Sequence, residues 1–239
     1  ILGNHCRFVQ WLKDDSCSMS QKPHTESEQH EEAGLSTYPD PPWRLCGTGL
    51  IRLCALPTEQ VRALVPARLS IVPLRPGYTL GVLYAGRYQA ASTLRYSELI
   101  VAPAMVRHGL RWGAWISHIY VDDERSAMGG RSIWGLPKQL ACFEWNNDET
   151  AVTVFQHRHG LCRLETQAAG LGARLPLLAP AFGARDGMPL WFYGRGSARL
   201  AQARLAVEVA DRAPFARLGF ASGRGVCIEE LKLSVRAPR

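Results

Sequence analysis

The sequence predicts an α+β domain that is mainly β, with curled antiparallel sheets forming a barrel or cone and a few short helices. Runs of β-branched, aromatic and alternating apolar residues recur from Gly49 onwards. Turn-forming clusters separate them at hairpin distances. Helical segments are short and few, so the strands must hide their edges against one another. The 239 residues, 46% of them hydrophobic, suffice for a single packed core.

Taken in chain order, residues 1–37 are expected to form a flexible leader. Ser18 to Ser36 is polar and acidic without aromatic residues, and buries too little to offset its ordering entropy. Residues 1–18 lack an initiator Met, Met19 offers a start, and this stretch is expected to be non-native. The domain is expected over 38–239. It opens at Tyr38-Pro39-Asp40-Pro41-Pro42-Trp43, where extended proline-rich chain delivers Trp43 to the edge of the core.

Gly49 to Ala55 predicts a strand, and Thr58 to Val65 a short helix N-capped by Thr58 and stopped by Pro66. Tyr78 to Tyr88 is aromatic and β-branched. Trp112 to Val121 alternates and ends at an Asp122-Asp123 turn. Ala141 to Trp145, Thr150 to Gln156 and Leu161 to Thr166 spell an antiparallel meander, with turns at Asn146-Asn147-Asp148 and His159-Gly160. Ala198 to Ala210 reads as strand in its second half, where Leu205, Val207 and Val209 alternate with smaller or polar residues.

The seven cysteines include no C-x-x-C pair and do not cluster with histidine. Neither a zinc site nor a disulfide framework is suggested, and a reducing cytoplasmic setting is expected. The chain's net charge is +7, and because the leader holds three basic against six acidic residues (3 − 6 = −3), the rest carries 7 + 3 = +10. Its arginines are scattered and match no nucleic-acid-binding motif, so the charge points to small anions and not to nucleic acid. No apolar run reaches the roughly 20 residues that span a bilayer, and no membrane partner is expected.

The most unusual stretch runs from Met128 to Ala141. Lys138 follows Pro137 and sits among Ile133, Trp134, Leu136 and Leu140. A lysine is a nucleophile only as the free amine, and an unperturbed lysine, with a pKa of about 10.4, is almost wholly protonated at neutral pH. Apolar surroundings favour the free form. Such an amine adds to a ketone or aldehyde, loses water, and leaves an iminium that draws electrons from a neighbouring carbon–carbon bond. The plain alternative is a lysine that snorkels to solvent over a strand end.

The pattern G-G-R-x-x-W-G-x-P-K-x-L at 129–140, with Ser117 to Asp123 before it and Arg95-Tyr96-Ser97-Glu98 earlier, resembles the acetoacetate decarboxylase superfamily. The resemblance runs from about Tyr38 to the C-terminal strand. It implies that Lys138 forms a Schiff base with a carbonyl substrate and that Glu98 lies beside it and manages protons. Homo-oligomers without metal or organic cofactor are implied as well. Activation of such a lysine by an apolar site or a neighbouring cation is described for acetoacetate decarboxylase itself.

Departures narrow the expectation. Gln139 stands where the decarboxylase has a second lysine, and the positions of a carboxylate-binding arginine and a second glutamate fall, without gaps, at Thr48 and Leu83. The expected function is thus a Schiff-base lyase on a small keto or aldehyde compound, of decarboxylase or aldolase/dehydratase type. A true β-keto acid decarboxylase and a non-catalytic binding barrel are the alternatives. Further substrate contacts are expected from Arg131, Trp134, Tyr96 and His118. For Arg131 the competing role is a donor to backbone carbonyls. For the two aromatic residues and His118 it is core packing.

Overall fold

The computed structural model describes residues 38–238, so the expected leader lies outside the described residues. Proline-rich chain brings Trp43 into strand β1 (Trp43–Pro57), where its ring is buried. Helix α1 (Thr58–Arg62) follows, with β2 (Ser70–Ile71), β3 (Pro73–Arg75), β4 (Tyr78–Tyr88), β5 (Ser97–Ala102), β6 (Ala104–His108), β7 (Arg111–Trp115) and β8 (His118–Val121). Helix α2 (Glu124–Trp134) leads into β9 (Lys138–Leu140). The rest is β10 (Cys142–Trp145), β11 (Ala151–Gln156), β12 (His159–Ala169), β13 (Ala173–Arg185), β14 (Met188–Val209), a 3-10 turn at Ala216–Leu218, and β15 (Gly223–Val235).

The strands form one branched sheet in the order β2-β6-β7-β13-β14-β15-β1-β4-β5-β8-β9, and β10, β11 and β12 join through the far half of β14. The mainly β class and few helices are as expected. Closure into a barrel is not made. The main path ends at β2 and β9, strands of two and three residues, and short edge strands offer little backbone for further pairing. Most ladders are antiparallel, including the expected β10–β11–β12 meander. The β7–β13 and β8–β9 ladders are parallel.

Several local expectations need correction. Thr58 does not cap α1: Pro57 occupies the cap position without a side-chain bond, and the Thr58 amide donates to Gly77 O. The single strand expected over 112–121 is two, broken at Ile116-Ser117, whose amides donate to Phe182 O and Val101 O. The β11–β12 reversal lies at His157 and Arg158, both at positive φ, one step before His159-Gly160. The residues after the Asp122-Asp123 turn form helix α2, Glu124–Trp134. Asp123 accepts from the Ser126 amide at 2.8 Å at its start, and Gly135, at φ 62°, closes its end.

Two apolar clusters lie on opposite faces of the central strands. One gathers Leu50, Leu83, Leu99, Val101, Tyr120 and Leu205; the other gathers Leu45, Tyr84, Tyr88, Tyr96, Ile119 and Trp134. Successive residues of a strand point to opposite faces, so β1, β4, β5 and β8 supply both. No helix among the described residues is long and apolar enough to cross a membrane.

Candidate active site

The second face encloses a cavity of about 460 Å3, walled by residues from β1, β4, β5, β7, β8, β9, β13, β14 and β15. Such a volume is within the range of small-molecule sites. Its wall is almost entirely apolar, with Trp43, Ile51, Val82, Ile100, Phe192 and Ile228 among the contributors. Among the described residues, only Lys138 and Glu98 carry charge there.

Lys138 is 3% exposed and reaches the cavity from the first residue of β9. Its Nζ donates to Glu98 Oε2 at 2.9 Å and to Ser126 Oγ at 2.9 Å, and lies over the rings of Tyr96 (4.9 Å) and Trp43 (5.8 Å). Glu98 is 4% exposed. Its Oε1 accepts from Tyr88 Oη at 2.9 Å, and its Oε2 from Tyr96 Oη at 3.5 Å; Tyr84 Oη donates in turn to Tyr88 Oη at 3.2 Å. Both charges are therefore partnered inside apolar walls, as buried ions must be.

Burial, and then the negative charge of Glu98, push the Tyr88 and Tyr96 phenols well above their ordinary pKa. Both stay protonated through the neutral and mildly alkaline range. They act as donors that hold the carboxylate.

The local sequence explains how the lysine gets there. Gly130 lies against the lysine stem: a Cβ on Gly130 would sit 2.4 Å from Lys138 Cδ, and one on Gly129 would sit 2.6 Å from the Trp43 ring. The two glycines let α2 approach both groups closely. After the turn at Gly135, the Leu136 amide returns to Gly130 O, and Arg131 Nε donates to Lys138 O at 2.7 Å. Asp123 fixes the Ser126 amide, which sets the Ser126 hydroxyl against the amine.

The structure brings together Lys138, Glu98, Tyr96 and Trp134 around the cavity. It does not bring Arg131 or His118 there. Arg131 is an exposed helix residue whose guanidinium is spent on the Lys138 carbonyl. His118 sits one residue from cavity-facing Ile119 and so points to the opposite face. It lies 2.9 Å from Ser117 Oγ and beside the Phe215 ring, and burial lowers its pKa. Gln139 likewise faces away and bonds to Gln156.

Thr48 and Leu83 are also on the wrong strand parity to reach the cavity. The Thr48 hydroxyl donates to Glu149, Leu83 belongs to the packed cluster, and the cavity-facing positions nearby are Ile51, Val82 and Tyr84. Sequence reasoning missed Ser126, Tyr84, Tyr88 and Trp43. For Ser126 a signal existed, since Asp123-x-x-Ser126 has the spacing of a helix N-terminus.

A profile described as acetoacetate decarboxylase (ADC) matches residues 29–183. The chain belongs to the acetoacetate decarboxylase family. Among solved structures it is similar to acetoacetate decarboxylase from Legionella pneumophila, with a TM-score of 0.62 and 18% identity over 88% of this chain and 91% of that one. It is similar to the enduracididine biosynthesis enzyme MppR complexed with pyruvate, with a TM-score of 0.62 and 13% identity over 86% and 92%. At these identities the likeness is one of fold.

By sequence the chain is 31% identical to "Protein NEOXANTHIN-DEFICIENT 1" of Solanum lycopersicum over 106 residues, which are 44% of this chain and 36% of that protein. The protein of the same name from Oryza sativa subsp. japonica is 31% identical over 118 residues, or 49% and 39%. The matched region thus spans well under half the length of these relatives.

Proposed function

We propose that Lys138 forms a Schiff base with a carbonyl compound in the cavity and that the protein is a carbon–carbon lyase of decarboxylase or aldolase type. The observation that carries this is the 2.9 Å contact between the Lys138 amine and the Glu98 carboxylate, both buried at the wall of a cavity. Family membership supports the assignment to a lyase class.

Glu98 is placed to move each proton. It takes one from the Lys138 ammonium, and the free amine adds to the carbonyl carbon. Glu98 returns that proton to the oxygen, takes a second from the nitrogen, and passes it to the hydroxyl, which leaves as water. A protonated iminium then faces a carboxylate, as the ammonium did before. The iminium accepts the electron pair of a bond from the adjacent carbon to its substituent, which leaves as carbon dioxide if it was a carboxylate or, after Glu98 takes its hydroxyl proton, as an aldehyde, and an enamine remains; protonation of that carbon and hydrolysis by water restore the amine and release the carbonyl product. Tyr88 donates to one oxygen of Glu98 and Tyr96 to the other, which fixes the carboxylate opposite the amine.

The aldolase branch is favoured over decarboxylation by one feature: among the described residues, the cavity wall has no cation besides Lys138. Iminium formation exchanges a carbonyl oxygen with solvent, so incubation in H218O tests the reading whatever product is finally released. The protein should accelerate 18O entry into a bound aldehyde or ketone, and Lys138→Ala should not. Equal exchange by both proteins would remove Lys138 from the chemistry.

A further inference from the structure

The cavity is larger and drier than imine formation requires. Its volume of about 460 Å3 has room for on the order of 15 water-sized groups, about twice what a four-carbon keto acid fills. Among the described residues the wall offers such an acid no second cation, and the phenols of Tyr84, Tyr88 and Tyr96 are already engaged with one another and with Glu98. Lys138 and Glu98 already neutralise each other at 2.9 Å, and among the described residues no arginine, histidine or second lysine joins them on the wall.

A substrate carboxylate would enter as a second anion beside Glu98, and an unpaired charge among apolar side chains is costly. A neutral carbonyl compound leaves the balance intact: ammonium and carbonyl give iminium and water, and the iminium takes over the ammonium's place opposite Glu98. The apolar wall also reaches solvent. Leu53 and Leu178 belong to it, yet are 41% and 62% exposed, and so mark an opening rimmed by hydrocarbon.

We infer that the ligand of this cavity is an uncharged, mainly hydrocarbon aldehyde or ketone, whose alkyl body runs from Lys138 towards Leu53 and Leu178; its covalent step rests on the Schiff-base reading above. Keto acids, and decarboxylation with them, are not the preferred chemistry.

The test separates the ligand class from the covalent step. Straight-chain alcohols from butanol to decanol cannot form an imine, so their binding to the wild-type protein, read through the fluorescence of Trp43 and Trp134, reports the cavity alone. Affinity should rise by up to about fourfold per methylene until the space is full, and carboxylates of equal length should bind at least about tenfold more weakly. Leu53→Arg, at the exposed rim, should narrow that gap while the circular dichroism spectrum stays unchanged. In parallel, borohydride should fix straight-chain aldehydes on Lys138 more efficiently than 2-keto acids of equal length.

Carboxylates that match the alcohols, or affinity that ignores chain length, would overturn the inference. So would keto acids labelling Lys138 better than aldehydes, a result that keeps the Schiff base. Alcohols that bind with the expected slope while no aldehyde is fixed support the apolar ligand class and sink the Schiff base instead.

Discussion

The two faces of the central strands are made from interleaved residues of the same segments, yet one is filled and the other hollow. In β5, Leu99 and Val101 pack into the filled face, while Glu98 and Ile100 look into the cavity; in β4, Leu83 and Ala85 stand opposite Val82 and Tyr84. Both faces are apolar. What distinguishes the hollow one is that it holds a buried ion pair, because the partners of the two charges can be arranged around empty space instead of being squeezed out by close packing.

The comparison breaks most sharply at the ion pair. Glu98→Leu leaves the lysine without its carboxylate, and unfolding in urea should show a loss of about 3–5 kcal/mol. The double change Glu98→Leu with Lys138→Met should recover most of that loss or exceed the parent, since well-packed apolar groups can replace a buried pair without cost. A double variant no more stable than the single one would mean that the pair is structural.

Next in size is truncation on each face. Leu99→Ala should cost about 2–5 kcal/mol, because it opens a void in a packed region. Ile100→Ala, one residue along, only enlarges an existing cavity and should cost about 1 kcal/mol. Equal losses would show that the second face is as tightly filled as the first.

A smaller effect follows from the tyrosines. Their folded pKa values lie above the unfolded value of about 10, so the folded state keeps protons that the unfolded chain releases. The stability contributed by these phenols is complete below about pH 10 and is lost as pH rises further. Tyr88→Phe should flatten the alkaline limb of a stability-versus-pH curve, and a limb as steep as the parent's would contradict this.

Gly130→Ala gives the helix a better former, but the new Cβ meets the lysine stem at 2.4 Å, an overpacking that costs about 1–3 kcal/mol. The melting temperature should fall, and borohydride labelling of Lys138 with it. Undiminished labelling would show that the stem can move aside freely.

The strand-rich class and the meander were legible because alternation and turn residues act locally. Helix α2 was not, since Gly129, Gly130 and Ile133 are poor helix formers, although Asp123 and Gly135 mark both its ends. Strand β13 was missed for a different reason: much of it is exposed on both faces, so no alternation betrays it. For the site, the odd setting of Lys138 could be read from its neighbours, but its meeting with Glu98 came from resemblance. Tyr88 and Ser126 depend on strand register and helix phase, which no local pattern encodes. The parity of β1, β4 and β8 decided against Thr48, Leu83 and His118, and register is what an ungapped comparison leaves open.

The central claim is that the buried amine of Lys138 is a nucleophile towards carbonyl compounds. Reduction with borohydride in the presence of a panel of aldehydes and ketones, followed by peptide mass mapping, tests it most directly. One added mass per chain is expected on the peptide containing Lys138, and none in Lys138→Ala. A panel that leaves that peptide unmodified, or labels Lys138→Ala as strongly as the parent, would contradict it.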